Sequence, residues 1–272
     1  MSADKVYATD HSAAVLQTHS WRTLSNSAGY LIPHLKPGMK VLDVGCGPGS
    51  ITVDLARHVG ASGHVTGVDY TDDPLDGARH LAALAGISRS SIDFRVADIH
   101  SLPFPDDSFD LVHAHQVLQH IRDPVAGLRE MRRVVRPAGI VACRESASMT
   151  LYPDIRGVHD WFDLSLRVGA ATGGHPHPGS HIHVWAEEAG FGKDRIARSA
   201  GTWCFSTRAE REYFGGSFEA RMRDSGFART AVEKGFATRE TLDAIADAWR
   251  EYIECDHGWL GMLHGEILCW KD

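Results

Sequence analysis

The chain has 272 residues, 43% hydrophobic and 23% charged, proportions that exclude wholesale disorder and allow one large domain with a buried core. With 28 Lys and Arg against 35 Asp and Glu, the formal charge of −7 excludes a broad electrostatic attraction to nucleic acid or anionic lipid. No apolar run reaches membrane-spanning length, Met1–Lys5 lack a signal-peptide core, and the 5 Cys are scattered without a Cys-x-x-Cys pair, so the expectation is a cytoplasmic protein with free thiols and no membrane partner.

The spacing of Ala13, Leu16, Leu24, Ala28 and Leu31 predicts a helix over 10–35, ended by Pro33 and Pro37-Gly38. A short apolar strand over 39–44 runs straight into glycines. Helix 50–59, strand 64–68 with Asp69 at its end, helix 75–85 closed by Gly86, and strand 92–96 follow. Then come strand 109–113, helix 124–135 entered through Pro124, and strand 140–143 after the Pro137-Ala138-Gly139 turn. Strands alternating with helices through residue 145 predict an α/β fold, a parallel sheet with helices on both faces. Beyond 145 the rhythm breaks. Helix 154–172, a Gly/Pro/His loop over 173–179, helix 183–189, a strand over 194–204, helices 207–224 and 239–253, and an apolar stretch over 259–270 complete the chain.

The strongest local signal is Asp43-Val44-Gly45-Cys46-Gly47-Pro48-Gly49 between a strand and a helix. Glycines there permit positive φ and let a ligand approach the backbone, and the turn lies where open α/β sheets bind ligands. Asp69, at the end of the next strand, is placed to accept from both hydroxyls of a ribose. A dinucleotide fingerprint needs a third glycine where Ser50 stands, and the Lys-Ser/Thr of a phosphate-binding loop is absent. Asp43 repels a pyrophosphate and suits an ammonium group. A cofactor with a ribose and an amino acid but no phosphate fits all three features, and S-adenosylmethionine is such a molecule.

Taken together, Asp43 to Gly49, Asp69, Ala97-Asp98-Ile99 through Pro105, Asp107-Ser108-Phe109-Asp110 and Val117-Leu118-Gln119-His120 resemble class I S-adenosylmethionine-dependent methyltransferases. The nearest likeness is to the small-molecule branch that includes ubiquinone- and menaquinone-pathway C-methyltransferases. Trp21-Arg22-Thr23, Gly173–Gly179 and Met262–Cys269 resemble the same branch more weakly. The resemblance implies a Rossmann-like, doubly wound, seven-stranded sheet whose last strand is antiparallel and inserted beside the fifth, plus a helical cap. It divides a single domain, 1–272, into an N-terminal helical lid (1–37), a cofactor core (38–145), an inserted cap (146–192) and a C-terminal completion (193–272).

The resemblance also implies roles. Gly45, Cys46, Gly47 and Gly49 would border the methionine moiety and ribose, and Asp43 would organise the ammonium group, directly or through water. Asp69, with Tyr70 beside it, would hold the ribose hydroxyls. Asp98 and Ile99 would receive the adenine, the plainer alternative for Asp98 being a loop-capping residue. His115 and Gln116 would meet the methionine end. Arg22 would pair with the cofactor carboxylate or with a surface acid.

Methyl transfer from a sulfonium is an in-line displacement that asks the protein mainly for proximity and alignment. A base is needed only where the nucleophile still holds its proton, and His115 and His120 are the candidates. Glu145 would orient an acceptor, or pair with a neighbouring Arg, which is the preferred reading. Tyr152, Trp161 and Phe162 would form an apolar acceptor wall, or the cap's own core. His175, His177, His181 and His183 have metal-like spacing, but with no Cys nearby the preferred reading is acceptor contact or a solvated loop, and no metal is expected.

The expected function is methyl transfer to a small organic acceptor. A nicotinamide-dependent oxidoreductase and a non-methylating S-adenosylmethionine-binding protein of the same fold are the alternatives. Nucleic-acid acceptors are disfavoured by charge, and a homodimer is left open.

Overall fold

The computed structural model describes residues 21–272. Ala13 and Leu16 of the first expected helix lie outside them. Its described part is not one helix. It is a single turn, α1 (Leu24–Ser27), followed by a 3-10 segment, Gly29–His34. Thr23 caps α1 by accepting the Asn26 N–H at 3.1 Å, while Asn26 Oδ1 accepts the Thr23 N–H at 2.8 Å. Pro33 has no N–H to extend an α-ladder, so the segment stays short.

Seven strands form one sheet: β1 (Lys40–Val44), β2 (His64–Asp69), β3 (Ile92–Val96), β4 (Phe109–His115), β5 (Val135–Tyr152), β6 (Ile196–Phe205) and β7 (Trp259–Trp270). Their order is β3-β2-β1-β4-β5-β7-β6, with the first five parallel. β7 runs antiparallel between β5 and β6, as the resemblance implied. The helices α2 (Ser50–Val59), α3 (Leu75–Leu84), α4 (Pro124–Val134), α5 (Arg156–Ala171), α6 (Ile182–Glu188), α7 (Arg208–Arg223) and α9 (Arg239–Glu254) fall within a few residues of their expected places. α8 (Gly226–Glu233) was not visible in the sequence. It is only two turns long, opens on a glycine, and depends on Ser225 accepting the Ala228 N–H at 3.1 Å.

Side-chain alternation assigns the two faces of the sheet. Leu42, Val44, Val112, Ala114, Val141 and Cys143 pack with Leu128, Met131, Ile182 and Trp185 of α4 and α6. Val41, Leu111, Ile140 and Ala142 pack with α1, α2 and α3 through Leu24, Ile51, Val53 and Ala78. Asp43, His113, His115, Arg144 and Glu266 share the parity of this second face, so it turns polar toward the strand tips.

β5 was expected to end near residue 143. It continues to Tyr152, with Ser148–Tyr152 paired to Leu263–Trp259 past a bulge at Ser146 and Ser148. β6 ends beside the same ribbon. On this overshoot sits a separate aromatic core, with Trp161, Phe205, Phe214, Phe218, Trp249 and Tyr252 drawn from α5, β6, α7 and α9. The cap thus begins after Tyr152 and is built on sheet strands.

Loop 173–180 lies against the β5–β7 pair at its closest point, where a Cβ on Gly265 would collide with the Gly179 carbonyl and one on Gly179 would meet Gly265 N at 2.7 Å. Because neither backbone segment can withdraw, Gly265→Ala should lower unfolding free energy by about 3 kcal/mol, as overpacking of a rigid contact does. Urea denaturation measures this, and a loss below about 1 kcal/mol would show that the loop is not clamped there.

Candidate active site

The turn after β1 takes the left-handed conformation at Gly45 (φ 67), Gly47 (φ 53) and Gly49 (φ 81). Side chains would be strained there, and space is also lacking. A Cβ on Gly45 would strike the Val117 side chain, and one on Gly49 would lie 2.7 Å from Ala78 Cβ. The turn is tied across the sheet, with Cys46 N–H donating to Val68 O at 2.9 Å and Gly47 N–H to Asp69 Oδ2 at 2.9 Å. Cys46 serves as packing. Its Sγ lies against Gly67, and burial with Asp43 and Asp69 nearby pushes the thiol well above its usual range. Tyr70 follows Asp69 and is about half exposed at the rim.

Asp43 lies beneath the turn. Its carboxylate is buried and faces inward, Oδ1 on His113 Nδ1 at 2.8 Å and Oδ2 accepting from Thr52 Oγ1 at 2.6 Å. Its direct work is to lock β1, β4 and α2 together beneath the turn. Asp98 Oδ1 accepts from His100 N–H and His100 Nδ1, each at 2.9 Å. The Ile99 side chain is buried and lies beside Gly127.

At the tip of β4, Gln116 adopts φ 53, an uncommon conformation for a residue with a side chain, and its N–H donates to Arg144 O at 2.8 Å. Its Oε1 accepts from Arg22 Nη2 at 2.6 Å, and its Nε2 lies 3.1 Å from His264 Nε2. Arg22 therefore reaches the site, with its guanidinium 5.7 Å over the Trp203 ring. His115 is buried with both ring nitrogens lacking a hydrogen-bond partner. Desolvation first, then the charges of Arg22 and Arg144, hold its pKa well below the usual histidine range. His120 is held down at about 4 by burial and by Arg22 and Arg221, with Gln119 Nε2 3.1 Å from its Nε2. Burial thus favours the neutral form of both imidazoles.

Glu145 does not pair with an arginine. It is buried on the opposite face, and Oε1 accepts from the N–H groups of Val117 (2.8 Å) and Leu118 (2.7 Å), fixing the segment that carries Gln116 to His120. Oε2 has no partner, and burial raises the pKa to about 8. Through these bonds Glu145 positions the 117–118 segment. Tyr152 is away from the site, 61% exposed at the far end of β5. Trp161 belongs to the cap core, 4.4 Å from Phe218 and 5.3 Å from Trp249. Phe162 is the cap aromatic that turns toward the loop, 4.5 Å from His177.

The four loop histidines diverge. His175 Nε2 lies 3.1 Å from Arg122 O, His181 packs edge-on to Trp185, and among the described residues no cluster of three or more ligating side chains could hold a metal. Sequence reasoning missed Thr52, Arg144, Trp203, His264 and Glu266. Arg144 and Glu266 pair at 3.3 Å although both stand in apolar strands, and that interruption of the pattern was the available signal.

A left-handed glycine turn, an acid on the neighbouring strand tip, no Lys or Arg anywhere from Asp43 to Asp54, and a buried imidazole with open nitrogens fit a ribose-bearing amino acid cofactor without phosphate. Fold and site together define the class I S-adenosylmethionine-dependent methyltransferases, and this chain belongs to that family. A family profile described as a methyltransferase domain matches residues 35–190. A methyltransferase of Schizosaccharomyces pombe, C1B3.06c, is 34% identical over 98% of this chain and 96% of its own length. Demethylmenaquinone methyltransferase of Staphylococcus aureus is 38% identical over 43% of this chain and 47% of its own length. Among solved structures, phosphoethanolamine N-methyltransferase 2 of Haemonchus contortus, in complex with phosphomonomethylethanolamine and S-adenosylhomocysteine, shares the fold. Its TM-score is 0.55 at 19% identity, over 89% of this chain and 52% of that one. The cofactor is S-adenosylmethionine.

Asp69→Ala should weaken S-adenosylhomocysteine binding by about tenfold or more, since a charge-assisted hydrogen bond contributes roughly 1.5–3 kcal/mol. Calorimetry reads this, and an unchanged dissociation constant would remove Asp69 from the site. Glu145 generates a pH signature. Between the ordinary carboxyl value of 4.5 and about 8, the folded chain keeps a proton that the unfolded chain has released. Its contribution to stability is thus full below that window and falls as pH rises through it. Glu145→Gln should therefore gain stability over the wild type progressively from about pH 5 to about pH 8, with no further gain above. A pH-independent difference in melting temperature would show that Glu145 is ionised in the fold.

Proposed function

We propose that the chain methylates a small organic acceptor held at the tips of β4 and β7, under the cap. The observation that carries this reading is His115, buried beside the glycine turn with two open ring nitrogens that only a bound molecule or water can satisfy. Its low basicity suits a neutral imidazole that orients an acceptor by hydrogen bonding rather than one that takes its proton.

S-adenosylmethionine, when bound, supplies an electrophilic methyl group on a sulfonium. The glycine turn and Asp69 would hold the ribose and methionine ends. Asp43 and Glu145 fix the turn and the 116–120 segment relative to each other from opposite faces of the sheet. Trp203 and Phe162 would exclude water from the acceptor side. The rest of the catalysis is alignment, and a misplacement of about 1 Å can cost about 10²-fold in rate.

S-adenosylhomocysteine release, measured against a panel of small organic nucleophiles with a peptide and a transfer RNA as controls, tests the reading. Turnover should be confined to the small molecules. His115→Ala should lower turnover about 10²-fold while leaving S-adenosylhomocysteine affinity within about twofold. Turnover in the wild type should show no limb near the ordinary histidine pKa of about 6.5. Activity on the macromolecules alone, or a limb that vanishes with His115, would overturn the assignment.

A further inference from the structure

The loop between α5 and α6 holds one imidazole in an uncommon backbone conformation. His177 has φ 55 and ψ 49, in the left-handed region, and Pro178 follows it. Residues with side chains disfavour that region, and a following proline drives the residue before it toward extended backbone. Two local preferences oppose the conformation, so the surroundings must enforce it. Before His177, Gly174 is pressed on Gln119 O, where a Cβ would lie 2.7 Å away, and Pro176 packs on Gly169 of α5. After it, Gly179 lies on the backbone of Glu145 and Gly265. Strain that is clamped from both sides collects where a chain binds or acts.

The conformation sets the aim of the ring. His175 Nε2 lies 3.1 Å from Arg122 O, and His181 packs on Trp185 with 5.4 Å between centroids. His177 turns inward instead. Its ring lies 4.5 Å from Phe162 of the cap helix α5, tilted by 33°, and stands close enough to His264 to lower that imidazole's basicity. Its Nδ1 is buried with no hydrogen-bond partner. Burial lowers its pKa to about 4, so the ring is neutral. Packing on Phe162 would suit a phenyl ring equally well. It leaves the buried nitrogen unexplained, because such atoms nearly always have a partner.

We propose that His177 Nδ1 holds a hydroxyl group of the methyl acceptor, as an anchor set apart from the atom that receives the methyl. This rests on the reading of the chain as a small-molecule methyltransferase and names the acceptor class: an uncharged molecule with a hydroxyl on an apolar body. A neutral imidazole presents one N–H and one lone pair. A hydroxyl accepts from the first or donates to the second, so it satisfies Nδ1 in either tautomer. A carbonyl, ether or carboxylate serves only the N–H, and an ammonium group only the lone pair. Phe162 and Trp203 supply apolar surface for the rest of the molecule. No proton changes hands at His177.

The cofactor does not compete for this nitrogen. The glycine turn meets the 116–120 segment at Val117, where a Cβ on Gly45 would strike the side chain. The His177 loop meets the same segment at Gln119, whose carbonyl accepts from His175 N–H at 2.8 Å. The turn follows β1, on one side of β4, and the loop rests on β5 and β7, on the other.

Phenol, with toluene as the counterpart of the same shape without the hydroxyl, can be titrated into 15N-histidine-labelled protein saturated with S-adenosylhomocysteine. Phenol should move a ring-nitrogen resonance of His177 without displacing S-adenosylhomocysteine, and toluene should leave that resonance in place. His177→Phe keeps a ring on Phe162, identifies the resonance by its loss, and should weaken phenol binding about tenfold while S-adenosylhomocysteine affinity stays within about twofold. His177→Asn tolerates the left-handed backbone and carries both a donor and an acceptor, so it should recover most of that loss. With a hydroxylated acceptor that is turned over, the cost of His177→Phe should fall on KM, by about tenfold, rather than on kcat. An unmoved His177 resonance, equal responses to phenol and toluene, or displacement of S-adenosylhomocysteine by phenol would overturn the proposal. Methyl transfer to small molecules with kcat and KM both indifferent to His177→Phe would defeat this inference and leave the methyltransferase reading intact. A normal phenol response with no S-adenosylhomocysteine formed from any acceptor would do the reverse.

Discussion

A buried carboxylate holds the working end of this molecule together. Asp43 binds His113 on the neighbouring strand and Thr52 on the helix that follows the glycine turn, with both oxygens engaged and the side chain shut away from water. A desolvated carboxylate is tolerable only when its hydrogen-bonding capacity is met, so the three elements must keep their mutual geometry. The turn between β1 and α2 is thereby fixed from below, while Asp69 fixes it from the side through the Gly47 N–H. The backbone of the turn is held because both oxygens of this acid are engaged by neighbouring elements.

A second set of constraints holds the tip of β4. Glu145 collects two backbone N–H groups of the 117–118 segment, Gly174 lies so close to Gln119 O that a side chain would not fit, and His175 N–H donates to the same carbonyl at 2.8 Å. The Gly/Pro/His loop is thus a brace for the segment bearing Gln116 and His120. Such bracing lets Gln116 persist at positive φ, a conformation that needs its surroundings to enforce it.

The cap extends the sheet. β5, β6 and β7 run past the level at which β1 and β4 stop, and their overshoot carries the aromatic cluster of Trp161, Phe205, Phe218, Trp249 and Tyr252. Because the same strands carry Arg144, Glu266 and His264 within a few residues of the overshoot, the polar end of the sheet and the cap are mechanically continuous. Trp203 joins them, packing with Trp21 at 5.3 Å and donating from Nε1 to Asn26 O at 2.8 Å. The described N-terminal segment is pinned over the site by these contacts.

Much of the cofactor half was readable in order along the chain, because its determinants are local. Apolar runs, helix periodicity, Gly86 as a stop, Pro124 as a start, and the glycine turn with Asp69 all act within a few residues of where they stand. The identity of the cofactor followed from residue types at the turn for the same reason. The length of β5, the inward aim of Asp43 and the backbone role of Glu145 were not readable. Each depends on a partner tens of residues away, Tyr152 on Trp259 and Glu145 on Val117 among them. The donor-rich corner of Arg22, Gln116, Arg144 and His264 is the extreme case. Its members span more than 240 positions, and only the insertion of β7 beside β5 brings them within hydrogen-bonding reach.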